Sequence, residues 1–333
     1  MSLILPLSTK NLMKETIEIL NIPNYYCSYY LLGLSDRFHL RYKFDPRFER
    51  FNNRAFLIFS RKGKLAVIDN NDPSGTKKDL YDYVDFYFCT NKLINHPSYQ
   101  QEKIRPLFPH FPVNEAAIYL QTFGFSLLKR IKLKDLIHQL HILNKRPKYV
   151  EKDLNYVFHN YIFFSANLWK KEPETNQIRA DFIRACKKEQ RIEFEGGFAP
   201  RTDGDAMGFP DEINKKIYPP KVFSKLSAKT LLALNNPAVL GAVSWRLAEY
   251  FAAGVFVISF PSAIEYPIEP VHGEELHYVE NSQEFETVFE KVFSDPDYHK
   301  KIALGGRAYF EKYCTPSAQI NYILSVVDGL VPH

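Results

Sequence analysis

The residues best suited to chemistry lie in the segment 244–254, which reads SWRLAEYFAAG. Ser244 predicts a helix N-cap and Gly254 the left-handed residue that ends the helix. Arg246 stands in the first helical turn, where the helix dipole is already positive, and a bound anion removes that conflict. Glu249 shares its helix face and is suited to accept hydrogen bonds from a ribose diol. The segment predicts a phosphate site, and the alternative is a weak intrahelical Arg–Glu ion pair.

Two further groups predict contacts to the same anion. Lys225 is one of three lysines spaced four residues apart on a predicted helix over 221–234. Gly196 and Gly197 follow a predicted strand, where glycine permits close approach of the backbone to a ligand, and Arg201 lies just beyond them. The alternatives are a solvated lysine face and a plain turn.

The first half offers carboxylates for acid–base work. Asp69 and Asp72 lie in the polar run 69–72, directly after a predicted strand, and are the predicted catalytic residues. Such side chains grip sugar hydroxyls or accept a proton within about 3 Å. An Asx-rich turn is an equal alternative. His96 and His110 are further candidate bases, although a lone histidine is usually a packing or surface residue.

Metal and cofactor motifs are weak or missing. The D-x-D pattern at 203–205 is typical of diphosphate-bound divalent ions, but three-letter matches are common and 295–297 matches inside a turn. The sequence contains no P-loop, G-x-S-x-G, H-E-x-x-H or G-x-G-x-x-G motif. We therefore predict no metal site and no cofactor.

The composition describes a globular chain with ample core material. Its 333 residues are 45% apolar and 24% charged, which indicates about two domains and excludes disorder and coiled-coil rods. The four cysteines form no C-x-x-C pair, as expected of reduced cytoplasmic thiols. The N-terminus lacks a basic signal-peptide region, and the longest apolar stretch contains Arg246 and Glu249. We expect a cytoplasmic protein without a transmembrane segment.

The positive charge is concentrated in one segment. Residues 125–148 contain seven basic residues and one acid, whereas the whole chain carries a net charge of +5. This distribution argues against a broad nucleic-acid surface. Leucines and isoleucines recur at helical spacing in the same segment, which suits a helix lying on an anionic membrane or facing a lipid-linked acceptor. A core helix with a lysine-rich outer face is the alternative.

Short apolar runs alternate with helical patterns through most of the chain. Predicted strands cover 55–59, 65–68, 84–89, 161–164, 191–195, 239–243 and 255–260, and predicted helices cover 174–188, 221–234, 245–253, 283–294, 297–313 and 316–327. This alternation predicts an α/β fold with largely parallel sheets, divided near 145–158. Ligands of such sheets bind beyond the carboxyl ends of the strands.

The second half resembles the donor half of GT-B glycosyltransferases, in their group-1, spore-coat CgeB-like and exostosin-like branch. The resemblance rests on YIFFSANLW at 161–169, FEGGF at 194–198, Ser224–Lys225, SWRLAEYFAAGVFVIS at 244–259, and residues 273–289. In the first half it is weaker and rests on LAVIDNNDP at 65–73 and VDFYFCTN at 84–91.

The resemblance implies two Rossmann-like domains facing a cleft. Residues 1–150 would form the acceptor-side domain, 155–315 the nucleotide-sugar-binding domain, and 316–333 a helix that crosses back to the first domain. It also implies that Glu249 binds ribose, that Arg246 lies near the diphosphate, and that no bound metal is needed. The sequence departs from the group-1 pattern at Gly241, where a second glutamate is often found, so the anomeric outcome stays open.

We therefore predict a glycosyltransferase of surface polysaccharide or glycan biosynthesis. Its partners would be a nucleotide-diphosphate sugar and a saccharide or lipid-linked acceptor, with no nucleic acid. It would be cytoplasmic, with peripheral contact to the inner face of the cell membrane through 125–148. Two alternatives remain: a non-catalytic sugar-nucleotide-binding or scaffold protein on the same fold, and a sugar-nucleotide epimerase.

Overall fold

The computed structural model describes residues 14–151 and 153–330. The first lobe contains a six-stranded sheet in the order β2-β1-β3-β4-β5-β6. Its strands are β1 (Thr16–Ile19), β2 (His39–Tyr42), β3 (Phe56–Arg61), β4 (Lys64–Asp69), β5 (Phe86–Cys89) and β6 (Ile104–Pro106). Its helices are α1 (Ser28–Arg37), α2 (Lys78–Tyr81), α3 (Ala116–Phe123), α4 (Ser126–Arg130) and α5 (Leu133–Lys145).

The first sheet is mixed rather than uniformly parallel. Strands β3 and β4 form an antiparallel hairpin, and β1 pairs antiparallel with β3, whereas the other three pairings are parallel. The hairpin turn is made by Lys62 and Gly63, both with positive φ (49° and 80°), as a type I′ turn requires. The carboxyl ends of β4 and β5 still lie side by side, because that pair is parallel.

The second lobe is uniformly parallel. Its strands are β7 (Tyr161–Asn167), β8 (Glu193–Ala199), β9 (Leu232–Asn235), β10 (Phe256–Ser259) and β11 (His277–Tyr278). Its helices are α6 (Pro173–Lys188), α7 (Pro220–Ser227), α8 (Trp245–Ala253), α9 (Phe285–Ser294) and α10 (Pro296–Tyr309). Strand β7 is hydrogen-bonded to β8, and β10 is hydrogen-bonded to both β9 and β11. The Leu231 N–H donates to the Tyr161 carbonyl (2.7 Å) where β9 runs beside β7. The strand order therefore changes direction between β7 and β9.

Two sequence predictions in this lobe were wrong. Helix α7 ends at Ser227, and the predicted helical residues 232–234 belong to strand β9. Residues 231–234 are at most 3% exposed, and such a two-sided apolar run suits a buried parallel strand, whereas the lysine spacing had favoured a helix. The predicted strand 239–243 is instead a turn, since Leu240 and Gly241 have φ of 57° and 79°.

The C-terminal helix α11 (Pro316–Val327) returns to the first lobe, as predicted. The Gln319 side-chain amide donates to the carbonyls of Phe108 (3.1 Å) and Pro109 (3.0 Å). A Cβ at Gly33 of α1 would collide with the Pro316 carbonyl, so the two helices cross in direct backbone contact. The predicted architecture of two Rossmann-like lobes with a returning helix is confirmed.

An apolar core joins the two lobes. It contains Tyr29 and Phe111 of the first lobe and Phe251 and Phe310 of the second, all buried. None of the helices in the described part of the chain combines the length and the apolar character that a bilayer crossing requires.

Candidate functional site

A cleft of about 620 Å³ lies between the lobes. On the second lobe it is lined by the carboxyl ends of β7 and β9, by α7 and by the beginning of α8. On the first lobe it is lined by the loops that follow β4 and β5 and by residues near 110 and 146. The point between β7 and β9, where the strand order reverses, is the place at which open α/β sheets bind ligands.

Helix α8 opens into this cleft. The helix covers Trp245–Ala253, and Gly254 takes the left-handed conformation (φ 62°), so both predicted ends are confirmed. The Ser244 Oγ accepts the Arg246 backbone N–H (3.3 Å). Ser244, Trp245 and Arg246 all line the cleft, and the positive end of the helix dipole is therefore directed at it.

Arg246 and Glu249 both line the cleft without pairing to each other. Among the described residues no ion pair joins them, although they are three positions apart on one helix. The Arg246 guanidinium lies 4.5 Å from the Phe223 ring centroid. The Ser224 hydroxyl donates to Glu249 Oε1 (3.4 Å). Burial raises the pKa of Glu249, and the nearby positive charges of Arg246 and Arg146 oppose that rise.

Arg179 of α6, which no motif of the sequence indicates as a site residue, is the most buried charge of the cleft. Its side chain lies between the ends of β7 and β9, where Nη1 donates to the Asn167 carbonyl (3.1 Å) and Nε donates to Asn236 Oδ1 (3.3 Å). The residue is 7% exposed, and its guanidinium lies 4.1 Å from the Trp169 ring centroid. Burial lowers the pKa of Arg179, and the neighbouring charge of Arg246 lowers it further.

Arg146 adds a third guanidinium. It lies 4.7 Å from the Trp245 ring centroid, and its buried Nε has no hydrogen-bond partner. In the part of the chain that the structure describes, none of Arg146, Arg179 and Arg246 has a carboxylate within ion-pair distance. Glu249 interacts with Arg246 and Arg146 at longer range than an ion pair. Charges without an ion-pair partner are costly to desolvate, and a polyanion in the cleft would compensate all three guanidinium groups at once.

The first lobe contributes one carboxylate to the cleft wall. Asp72 lines the cleft and is open to solvent, yet partial desolvation still raises its pKa. Asp69, the other predicted catalytic residue, does not line the cleft. Its carboxylate is buried, accepts the Tyr87 hydroxyl (2.6 Å) and the Asn71 N–H (3.0 Å), and so holds the loop that carries Asp72.

The two candidate histidines lie in different surroundings. His110 lines the cleft, and burial lowers its pKa to about 4, so the ring is neutral at pH 7. His96 lies outside the cleft, where its Nδ1 accepts the Ser98 N–H (3.3 Å) at the start of a helical turn. The structure therefore brings only His110 to the site.

The remaining predicted donor-binding residues lie outside the cleft lining. Gly196 and Gly197 have φ of 135° and 130° inside β8, and a Cβ on either would collide with a backbone carbonyl, of Phe164 or of Glu212. Arg201 donates to the Leu168 carbonyl (3.0 Å) and pairs with a carboxylate two residues on. Lys225 is exposed in the last turn of α7.

The D-x-D carboxylates are engaged by neighbouring protein groups. Asp203 pairs with Arg201 (2.6 Å) and Lys170 (3.0 Å). Asp205 Oδ1 accepts the Met207 N–H (2.8 Å). Within residues 14–151 and 153–330 no group of three His, Cys, Asp or Glu side chains is arranged to hold a metal ion.

Comparison with known proteins finds similarity among solved structures. No family model matches the chain, and no curated protein matches it. A glycosyltransferase from Rickettsia africae is 10% identical, with a TM-score of 0.48 over 96% of this chain and 99% of that chain. The C-terminal domain of a group 1 family glycosyl transferase from Francisella tularensis is 19% identical, with a TM-score of 0.32 over 46% of this chain and 84% of that chain. A putative UDP-N-acetylglucosamine 2-epimerase from Listeria monocytogenes is 11% identical, with a TM-score of 0.43 over 96% and 97%. Similarity at this level concerns the fold, and function must be argued from the site.

Proposed function

We propose that the chain is a glycosyltransferase that moves a sugar from a nucleotide-diphosphate donor to a saccharide or lipid-linked acceptor. The observation that carries this proposal is the set of three guanidinium groups, on Arg146, Arg179 and Arg246, that border one cleft and form no ion pair with a carboxylate of the described residues. A diphosphate offers several oxygens and more than one negative charge, which matches the planar forks of arginine side chains.

The donor would lie with its diphosphate at the beginning of α8. Backbone N–H groups and the helix dipole there favour an anion. Glu249, one turn further along the helix, would accept hydrogen bonds from the ribose diol, and the aromatic ring of Trp169 or Trp245 offers a flat face beside the cationic groups. Phosphate and ribose are thus recognised by a single short helix and its neighbours.

In the reaction the acceptor hydroxyl oxygen forms a bond to the anomeric carbon of the sugar. The bond from that carbon to the diphosphate oxygen breaks, and its electron pair leaves with the diphosphate. The three guanidinium groups stabilise this developing charge in a partly desolvated cleft. The proton of the acceptor hydroxyl passes to the Asp72 carboxylate, whose raised pKa makes it a stronger base.

The test begins with binding. A thermal-shift panel of UDP, GDP, CMP and their sugars should reveal stabilisation by one nucleotide class. Arg246→Gln should weaken that binding at least tenfold, since a charge-assisted hydrogen bond contributes about 1.5–3 kcal/mol. Arg191→Gln is the matched control, because Arg191 pairs with Glu189 and Glu290 outside the cleft. Unchanged affinity in Arg246→Gln would refute the site.

Assays of donor turnover then distinguish the glycosyltransferase from the non-catalytic scaffold and from the epimerase. Transfer of labelled sugar to an acceptor supports the proposal, and Asp72→Asn should lower the transfer rate while leaving nucleotide affinity unchanged. Tight nucleotide binding without consumption of donor would favour the non-catalytic scaffold. An epimerised donor formed without any acceptor would favour the epimerase.

We further propose that transfer needs no divalent metal, since the three arginines supply the positive charge that a metal would otherwise provide. Transfer should persist in EDTA and in the double variant Asp203→Asn, Asp205→Asn. Activity that EDTA abolishes and Mg²⁺ restores would contradict this proposal.

A further inference from the structure

Helices α3, α4 and α5 form one side of the first lobe and have two contrasting faces. Their inner face packs into the core through buried Tyr119, Leu127, Leu136 and Leu143. The outer face, which we define by four side chains, carries large apolar groups open to solvent. Phe125 is 83% exposed, Leu128 61%, Leu133 63% and Ile137 60%. Four such side chains within 13 residues are more than the scattered apolar exposure of ordinary surfaces.

Lysines alternate with these apolar side chains. Lys129, Lys132 and Lys134 are all exposed, and among the described residues none of them pairs with a carboxylate. The charge of Arg130, which lies between Lys129 and Lys132 in the chain, is compensated by an ion pair with Glu49 (2.7 Å). The outer face therefore combines apolar groups with three uncompensated positive charges.

We propose that this outer face docks on an anionic phospholipid bilayer. Phe125 and its apolar neighbours would enter the boundary between headgroups and acyl chains, while the lysines attract the anionic headgroups. A second copy of the chain fits the face less well. A two-fold interface would bring the same lysines against each other, and like charges at an interface are strongly unfavourable.

Docking through the outer face would also limit the distance between the bilayer and the cleft. Helix α5 begins at Leu133 on the outer face, and Arg146, which directly follows α5, lines the cleft. A helix of 13 residues is roughly 20 Å long. Along α5 the outer face and the cleft-lining Arg146 are therefore separated by at most about that length. The docking itself does not depend on the chemistry of the cleft and is tested without it.

The first experiment measures co-sedimentation of the purified full chain with lipid vesicles. We expect binding to vesicles that contain phosphatidylglycerol, falling with added salt, and little binding to pure phosphatidylcholine. Lys129→Gln, Lys132→Gln and Lys134→Gln together should weaken binding about a hundredfold, which is about fivefold for each lysine near an anionic surface. The charge-matched control removes Lys215, Lys229 and Lys312, which are exposed and form no ion pair in the described structure of the second lobe.

The second experiment tests the apolar contribution. Phe125→Ser with Leu128→Ser should weaken vesicle binding at least tenfold while circular dichroism and the melting temperature stay unchanged, because both side chains are exposed. Equal loss in the control triple variant would mean a general charge effect and would overturn the proposal. So would unchanged binding in both outer-face variants, or a wild-type dimer in light scattering that the serine variant dissociates.

Discussion

Replacing Arg179 by methionine should separate the requirements of binding from those of folding. Arg179 is 7% exposed, donates only to the neutral oxygens of Asn167 and Asn236, and has no carboxylate partner in the described structure. Its desolvated charge is a cost to the ligand-free protein. Methionine keeps the apolar stem and the helix propensity of α6 but removes that charge. The lost hydrogen bonds to Asn167 and Asn236 oppose this gain, so we expect the stability of the ligand-free variant to stay within about 1 kcal/mol of the wild type.

Nucleotide affinity, in contrast to stability, should fall strongly in this variant. The charge-assisted hydrogen bonds of one guanidinium contribute about 1.5–3 kcal/mol, so Arg179→Met should raise the Kd of the best nucleoside diphosphate by about 10-fold to 150-fold. Isothermal titration calorimetry measures the Kd, and urea unfolding measures the stability. The thermal shift produced by the nucleotide should shrink or vanish in the variant.

Arg184, on the same helix, is the matched control. Its guanidinium is half-exposed and pairs with Glu212 (2.6 Å), a buried carboxylate, outside the cleft. Arg184→Met leaves that carboxylate unpaired and should cost about 1–3 kcal/mol of stability with no change in nucleotide affinity. If Arg179→Met instead destabilised the ligand-free protein and left the Kd within twofold of wild type, Arg179 would be structural and the anion site would be refuted.

Two further predictions concern single residues. Burial raises the pKa of Glu249 above its ordinary value of 4.5, so the ligand-free protein should lose stability as the pH rises from 4.5 through the raised pKa. Glu249→Gln should remove that loss. An equal pH dependence of the unfolding free energy in the wild type and the variant, measured by urea unfolding, would contradict this prediction. Gly196→Ala should cost more than about 3 kcal/mol because its Cβ would collide with the Phe164 carbonyl, whereas Gly208→Ala, with positive φ in open space, should cost only about 1–2 kcal/mol. Equal losses in thermal unfolding would show that the collision at Gly196 is relieved cheaply.

Local signals predicted the parts of the site that depend on neighbours in the chain. The ends of α8 follow from Ser244 and Gly254, since a cap involves atoms only a few residues away. The beginning of α11 was predicted in the same way, and Thr315 accepts the Ala318 N–H (3.1 Å) there. Local patterns were ambiguous in residues 228–243. They predicted a strand at 239–243, whereas the strand β9 covers 232–235, because the neighbouring strands decide which apolar residues are buried on both faces.

The amino-acid sequence by itself determined that Arg246 and Glu249 lie on one capped helix, because hydrogen bonds and backbone angles within residues 244–254 specify that helix. Only the tertiary structure decided that Arg146 and Arg179 face the same cleft. Their approach depends on the strand order that sets β7 beside β9 and on the packing of the two lobes, which joins residues far apart in the chain. The spacing of residues along the chain does not predict these distances. The concentration of positive charge in the cleft therefore depends on the tertiary structure.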